Sequence, residues 1–243
     1  DVYKRQILAY DGSRYQGWQR LPGVENTIQG KLERTISRIL EEPVEVSGSG
    51  RTDAGAHAIG QCASFHCQST LPCSEILSQL RMHLPEDIGV LSCEEAPPRF
   101  HAWLNATAKT YEYRVWNSPE PCVFQRKYWY RLPVPLNLEA MEAAAAHLVG
   151  QHDFRSFCSN KKMKKSTVRT IYSLDIATMG PELRFTLRGD GFLYNMVRIL
   201  VGTLLEVGMG RRSPAEIPGI LEARNRETAG YTCLLYTSPS PRD

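Results

Sequence analysis

The chain has 243 residues, 42% of them apolar, with 29 Lys plus Arg against 26 Asp plus Glu. This is the composition of an ordinary globular protein with room for one large or two small domains. A formal charge of +3 excludes a chain that recruits a polyanion by its average charge alone. The seven cysteines, Cys62, Cys67, Cys73, Cys93, Cys122, Cys158 and Cys233, form no CxxC pair and keep no regular spacing, so neither a zinc site nor a disulfide framework is indicated. No apolar run reaches the length of a membrane span, and no charged start leads into an apolar stretch as in a signal peptide. The expectation is a reduced, cytoplasmic protein with no membrane partner.

Residues 1–6 ("DVYKRQ") and 233–243 ("CLLYTSPSPRD") resemble translated adapter or cloning read-through and are expected to stand outside the fold. "ILAY" then reads as a strand that runs into the polar, aromatic loop "DGSRYQGWQR". Ile28, Leu32, Ile36, Ile39 and Leu40 recur at helical spacing behind Asn26 or Thr27 as N-cap. "VEVSG" and "QCASFHC" predict two strands joined by the loop "GSGRTDAGAHAIGQ". "SEILSQLRMHL" predicts a helix capped by Ser74 and stopped by Pro85, and "IGVLSCEEA" another strand. From Lys109 the order nearly repeats: strand "KTYEYRVWN", helix "NLEAMEAAAAHLVG", strands "TIYSLDIAT" and "ELRFTLRGDGF", then a helix from about Asn195 to Val207. Two similar α+β halves, 7–104 and 105–232, are therefore expected.

The glycine-rich loop invites a nucleotide reading, which its spacing denies. Gly48, Gly50 and Gly55 form GxGxxxxG rather than the dinucleotide pattern, and "GRTDAGAH" lacks the GK[ST] ending of a phosphate loop. The six histidines contain no HExxH, and GxSxG is missing as well. What remains is Asp53, a single acid among glycines that permit tight turns and close approach of a ligand. It either caps a turn or serves as a nucleophile or base. Arg198 lies inside the nearly apolar stretch "LYNMVRILVG", where a guanidinium needs a carboxylate or must snorkel outward along its stem. Asp53 is the candidate partner. Tyr111 and Tyr113 share one strand face with Lys109, a face suited to packing or to stacking on an unpaired base. Arg155, Lys161, Lys162, Lys164, Lys165 and Arg169 form an acid-free basic run, read as a solvated loop or a phosphate-binding surface.

"GSGRTDAGAHAIGQCASF" resembles the signature loop of the tRNA pseudouridine synthase A (TruA) family, and "YDGSRYQGWQR", "TIQGKLE", "LPEDIGV", "RFHAWLNATAKTYEYRVWN", "GQHDFRSF", "GFLYNMVRILVG" and "LEARNRETAG" resemble its further blocks in the same order. The resemblance covers roughly residues 7 to 232. It implies two α/β subdomains with largely antiparallel sheets flanked by helices and an active-site cleft between them. It also implies a cofactor-free, metal-free homodimer that isomerises uridine to pseudouridine at positions 38, 39 and 40 of tRNA. On this resemblance Asp53 is the catalytic nucleophile, Arg51 its neighbouring arginine, Tyr111 the active-site tyrosine and Arg198 the basic partner of the aspartate. Tyr111, Lys109, His57, Arg14, Arg20, Lys161, Lys162, Lys164 and Lys165 make up the expected substrate-binding set. Two departures stand out: Ala56 replaces the usual Val, and beyond "RNRETAG" the family's segment resembling APxxGLYLxxVxY gives way to "CLLYTSPSPRD". The rival readings are a catalytically inactive tRNA-binding module or folding chaperone, and an aspartate-based nucleoside hydrolase, which would carry a carboxylate cluster.

Overall fold

A computed structural model describes residues 2–233, and the chain divides into two compact units, Asp1–Ala106 and Thr107–Asp243. The end segment expected to be foreign lies outside the described residues apart from Cys233.

The first unit is built from β1 (Val2–Tyr10), α1 (Ile28–Leu40), β2 (Ser47–Gly48), β3 (Ala58–Cys67), α2 (Cys73–His83) and β4 (Ile88–Ala96). Its strands form one antiparallel sheet in the order β2-β3-β1-β4. Ile28, Leu32 and Ile36 of α1 and Ile76 and Leu80 of α2 are fully buried in a core shared with Leu8, Phe65 and Val90 of the strands. Helix α1 starts at Thr27, whose Oγ1 accepts from the Gly30 amide at 3.2 Å. Its buried Glu33 accepts from the Val46 amide at 3.0 Å and so ties the helix to the segment before β2.

Two expectations need correction here. Residues 2–6 are the first half of β1: Val2 pairs with Cys67, Gln6 pairs with Ala63 and Cys93, and the Lys4 and Gln6 side chains are buried on the face that Leu8 and Tyr10 continue. Helix α2 is not capped by Ser74. It begins two residues earlier than that cap implies, at Cys73, because the extended Pro72 presents its carbonyl to the amides of Glu75 and Ile76, both at 3.0 Å.

The second unit comprises β5 (Lys109–Trp116), β6 (Tyr130–Arg131), α3 (Leu138–Ala146), β7 (Gly150–Asp153), β8 (Val168–Met179), β9 (Glu182–Gly189), α4 (Met196–Gly208) and α5 (Ile217–Ala223). Its sheet runs β6-β5-β9-β8-β7, antiparallel except for the parallel β5–β6 pair. Helix α4 is apolar nearly all round because it is buried nearly all round; only Arg198 and Glu206 on it reach partial exposure. Each unit is thus an α+β layer of sheet and helices, the expected fold class.

Candidate active site

The connection between β2 and β3 carries Arg51, Asp53 and His57, and its base is closed by two bonds. The Ser49 amide donates to the Cys62 carbonyl at 2.8 Å, and Gln61 Nε2 donates to the Gly50 carbonyl at 2.6 Å. Beyond that base the loop fastens to the segment 10–18. The Trp18 amide donates to the Thr52 carbonyl at 3.0 Å, the hydroxyls of Tyr10 and Thr52 share a 2.9 Å bond, and the Gly55 amide donates to the Tyr15 carbonyl at 3.2 Å. Asp53 is the first residue of the turn that its own carbonyl closes by accepting from the Ala56 amide at 3.1 Å, with Ala54 and Gly55 at the apex. The turn requires φ of +78° at Gly55, a conformation that glycine adopts without steric cost. At Gly12 the constraint is space: a Cβ there would stand 1.9 Å from the Ala56 carbonyl oxygen. The loop is therefore held in one place by bonds on both sides of Asp53, each worth about 1 kcal/mol.

His57, expected among the substrate-binding groups, also serves this clamp. Its Nδ1 accepts from the Gly12 amide at 3.0 Å, which requires an unprotonated Nδ1 and places the ring proton of the neutral form on Nε2. Asp11 Oδ1 lies 3.1 Å from the same nitrogen.

The arginines expected to meet phosphate from the first loop are both held by carboxylates. Arg14 forks onto Asp87 Oδ2 at 2.9 and 2.5 Å, while the Tyr15 hydroxyl donates to Asp87 Oδ1 at 2.6 Å. Burial works against the charged Asp87, but the Tyr15 hydroxyl and the Arg14 guanidinium outweigh it and hold the carboxyl below its usual range. Arg20 stands 2.9 Å from Glu33 Oε2. Arg51 is exposed and Asp53 half-buried.

In the second unit β5 places Lys109, Tyr111 and Tyr113 opposite Gly189, Leu187 and Phe185 of β9. Tyr113 is buried, which pushes the pKa of its hydroxyl up. Tyr111 is half-buried and meets Phe192 edge to face, with ring centroids 5.0 Å apart. Burial, and secondarily the Arg169 guanidinium, lower the pKa of Lys109. Arg198 was expected to need a carboxylate. Within its own unit its Nε donates to the Cys233 carbonyl at 2.5 Å and a terminal nitrogen donates to Asn195 Oδ1 at 3.0 Å. Lys161, Lys162, Lys164 and Lys165 are all exposed on a loop whose Lys161 and Met163 carbonyls accept from Arg155, both at 3.2 Å.

The sequence did not reveal the parts played by Tyr10, Thr52, Phe192 and Asn195. Asn195 carries the one usable signal, since Asn is among the few non-glycine residues that favour the left-handed region and its φ is 59°. Among the described residues no group of three or more His, Cys, Asp or Glu side chains could hold a metal ion, and no helix is long and apolar enough to cross a membrane. A half-buried carboxylate on a clamped loop is suited to attack an electrophilic carbon or to take a proton from a neighbouring one.

Comparison with known proteins adds to this picture. The profile of the family described as tRNA pseudouridine synthase matches residues 7–103 and 144–234. The chain is similar to tRNA pseudouridine synthase A 2 of Bacillus cereus, with 45% identity over 231 residues that span 95% of this chain and 94% of that protein. It is likewise similar to tRNA pseudouridine synthase A of Brevibacillus brevis, 46% identical over 228 residues covering 94% and 93%. The corresponding protein of Halalkalibacterium halodurans is 46% identical over 226 residues covering 93% and 86%.

Proposed function

The chain belongs to the tRNA pseudouridine synthase A family and is an isomerase of tRNA uridine, and from that premise we propose that Asp53 performs the chemistry on the ribose, at positions 38, 39 and 40 of the anticodon stem-loop. The observation that carries the assignment to Asp53 is the clamp. Bonds from Trp18, Tyr10, Tyr15 and Gly12 fix the backbone around one half-buried carboxylate.

The reaction breaks the N1–C1′ bond and joins C5 to C1′, with the C5 proton released and N1 protonated, so atoms and electrons balance without an oxidant. The Asp53 carboxylate either attacks C1′ and is later displaced by C5, or removes the C2′ proton to give a glycal that is reprotonated. The target uridine leaves its stack to reach the site, at a cost of about a few kcal/mol. Arg51 occupies the vacated space, Tyr111 lies against the flipped base, and Arg198 orients Asp53. Phosphate contacts across the exposed lysines of 161–165, with Lys109, Arg14, Arg20 and His57, offset the unstacking. The protein works as a cytoplasmic homodimer without cofactor or metal.

The test is release of tritium from tRNA labelled at C5 of uridine. Release is the expected result; a chain that binds tRNA without releasing tritium is a binding module, and the proposal fails. Replacing Lys161, Lys162, Lys164 and Lys165 by Gln should lower the slope of log affinity against log salt by up to roughly 3. An unchanged slope would remove this loop from the RNA surface. Arg198→Met should cost on the order of 10²-fold in turnover through misplacement of Asp53. Normal turnover in that variant would dissolve the proposed pair.

A further inference from the structure

The segment between β5 and β6, residues 117–129, takes no part in the chemistry above. Yet it exposes Phe124 at 89%, Val123 at 56% and Tyr128 at 46% of their surface. Interleaved with them are the exposed cations Arg126 and Lys127, followed by Arg131, with Glu120 the one acid in the stretch 117–131. A loop with three apolar groups in water would ordinarily fold them inward or blur its conformation. Here the backbone is pinned instead. The Tyr128 amide donates to the Gln125 carbonyl at 2.8 Å, Arg126 donates to the Val123 carbonyl at 2.7 Å, and Arg131 donates to the Pro119 carbonyl at 2.6 Å. Trp116 Nε1 donates to the Glu120 carbonyl at 2.7 Å, and its ring lies 5.1 Å from that of Trp129. The β5–β6 pairing of Val115 with Tyr130 and Trp116 with Arg131 closes the base.

We propose that this loop is a second RNA contact, in which Phe124 stacks on an unpaired base and Arg126 and Lys127 meet the adjoining phosphates. The inference rests on the reading of tRNA as substrate and adds a surface to it. Aromatic faces alternating with cations match the two halves of a single-stranded nucleotide, its π-face and its phosphodiester. The bonds that already hold the loop lessen the conformational entropy to be lost on binding. The charge also decides between RNA and a second copy of this chain. A two-fold contact of this loop with its own copy would gather Arg126, Lys127 and Arg131 of both chains in one place with one acid per chain to compensate, whereas a polyanion complements them.

The experiment measures the Kd of an unmodified tRNA transcript by fluorescence anisotropy across a salt series, with sedimentation of each variant alongside. Phe124→Ala should weaken binding about tenfold, as expected for one base stacked on an aromatic ring, and leave the salt slope in place. Phe124→Trp should restore the parent Kd, which separates stacking from a folding defect. The double variant Arg126→Gln with Lys127→Gln should lower the slope by roughly 1.5. Affinities within twofold of the parent for both the Ala and the Gln variants would overturn the proposal. So would a Phe124→Ala effect confined to self-association, which would make the loop an interface between copies. Affinity for tRNA and self-association score this loop, and tritium release scores the Asp53 reading, so failure of one is distinguishable from failure of the other.

Discussion

Asp53→Asn is expected to abolish tritium release from C5-labelled tRNA, with a loss of about 10⁴-fold or more in kcat/KM, while affinity for tRNA is retained. The amide has the shape of the carboxylate but neither its charge nor its basicity, so it can neither displace uracil at C1′ nor take the C2′ proton. The clamping bonds of the loop run through the Thr52 carbonyl and hydroxyl, the Asp53 carbonyl, the Gly55 amide and the His57 ring, and all of these survive the substitution. Removing one negative charge beside a polyanion does not weaken attraction to it. Turnover and binding should therefore separate cleanly. Residual release near the parent rate would assign the chemistry to another group, and loss of binding would place Asp53 in the RNA grip. Substituting deuterium at C2′ then distinguishes the two routes: a slowed parent enzyme reports proton removal from C2′, and an unaffected one reports direct attack at C1′.

Much of the fold was legible because local signals agreed with tertiary ones. Helix α1 carries both a capping threonine and apolar residues at helical spacing, and the stretch 88–96 predicted the bounds of β4. The two-residue β6 and the four-residue β7 were not legible, since a strand that short is defined by its neighbour's hydrogen bonds rather than by its own pattern. The start of β1 was obscured for a different reason. Lys4 and Gln6 occupy core-facing positions, so the alternation that announces a strand is written there in polar letters. At the site, the lone acid among glycines pointed to Asp53, but the clamp did not show. Its Tyr10–Thr52 and Gly12–His57 bonds join residues 42 and 45 apart. For Arg198 the sequence supplied the need for acceptors and not the two that lie within its own unit, the amide oxygen of the left-handed Asn195 three residues earlier and the Cys233 carbonyl.

The clamp predicts the second large effect, at a residue that touches no substrate. Gly12→Ala places a methyl group 1.9 Å from the Ala56 carbonyl oxygen and 2.7 Å from its carbonyl carbon. Backbone cannot rotate out of the way as a side-chain tip would, so residues 56 and 57 must retreat. That movement lengthens the Gly12–His57 bond, now 3.0 Å, and disturbs the Asp53–Ala56 turn, closed at 3.1 Å. Overpacking of this kind costs about 1–3 kcal/mol, visible as a lower Tm. A displacement near 1 Å at the reacting carboxylate costs on the order of 10²-fold in rate. The two readouts should fall together in Gly12→Ala and stay at parent values in Gly219→Ala, where a Cβ meets nothing within 4 Å. If Gly12→Ala kept full tritium release despite a lowered Tm, the loop would tolerate displacement, and the position of Asp53 would owe little to the clamp. A selective loss of rate at unchanged Tm would instead mean that the fold absorbs the methyl group and passes the strain to the Asp53 turn, whose conformation depends on the left-handed Gly55.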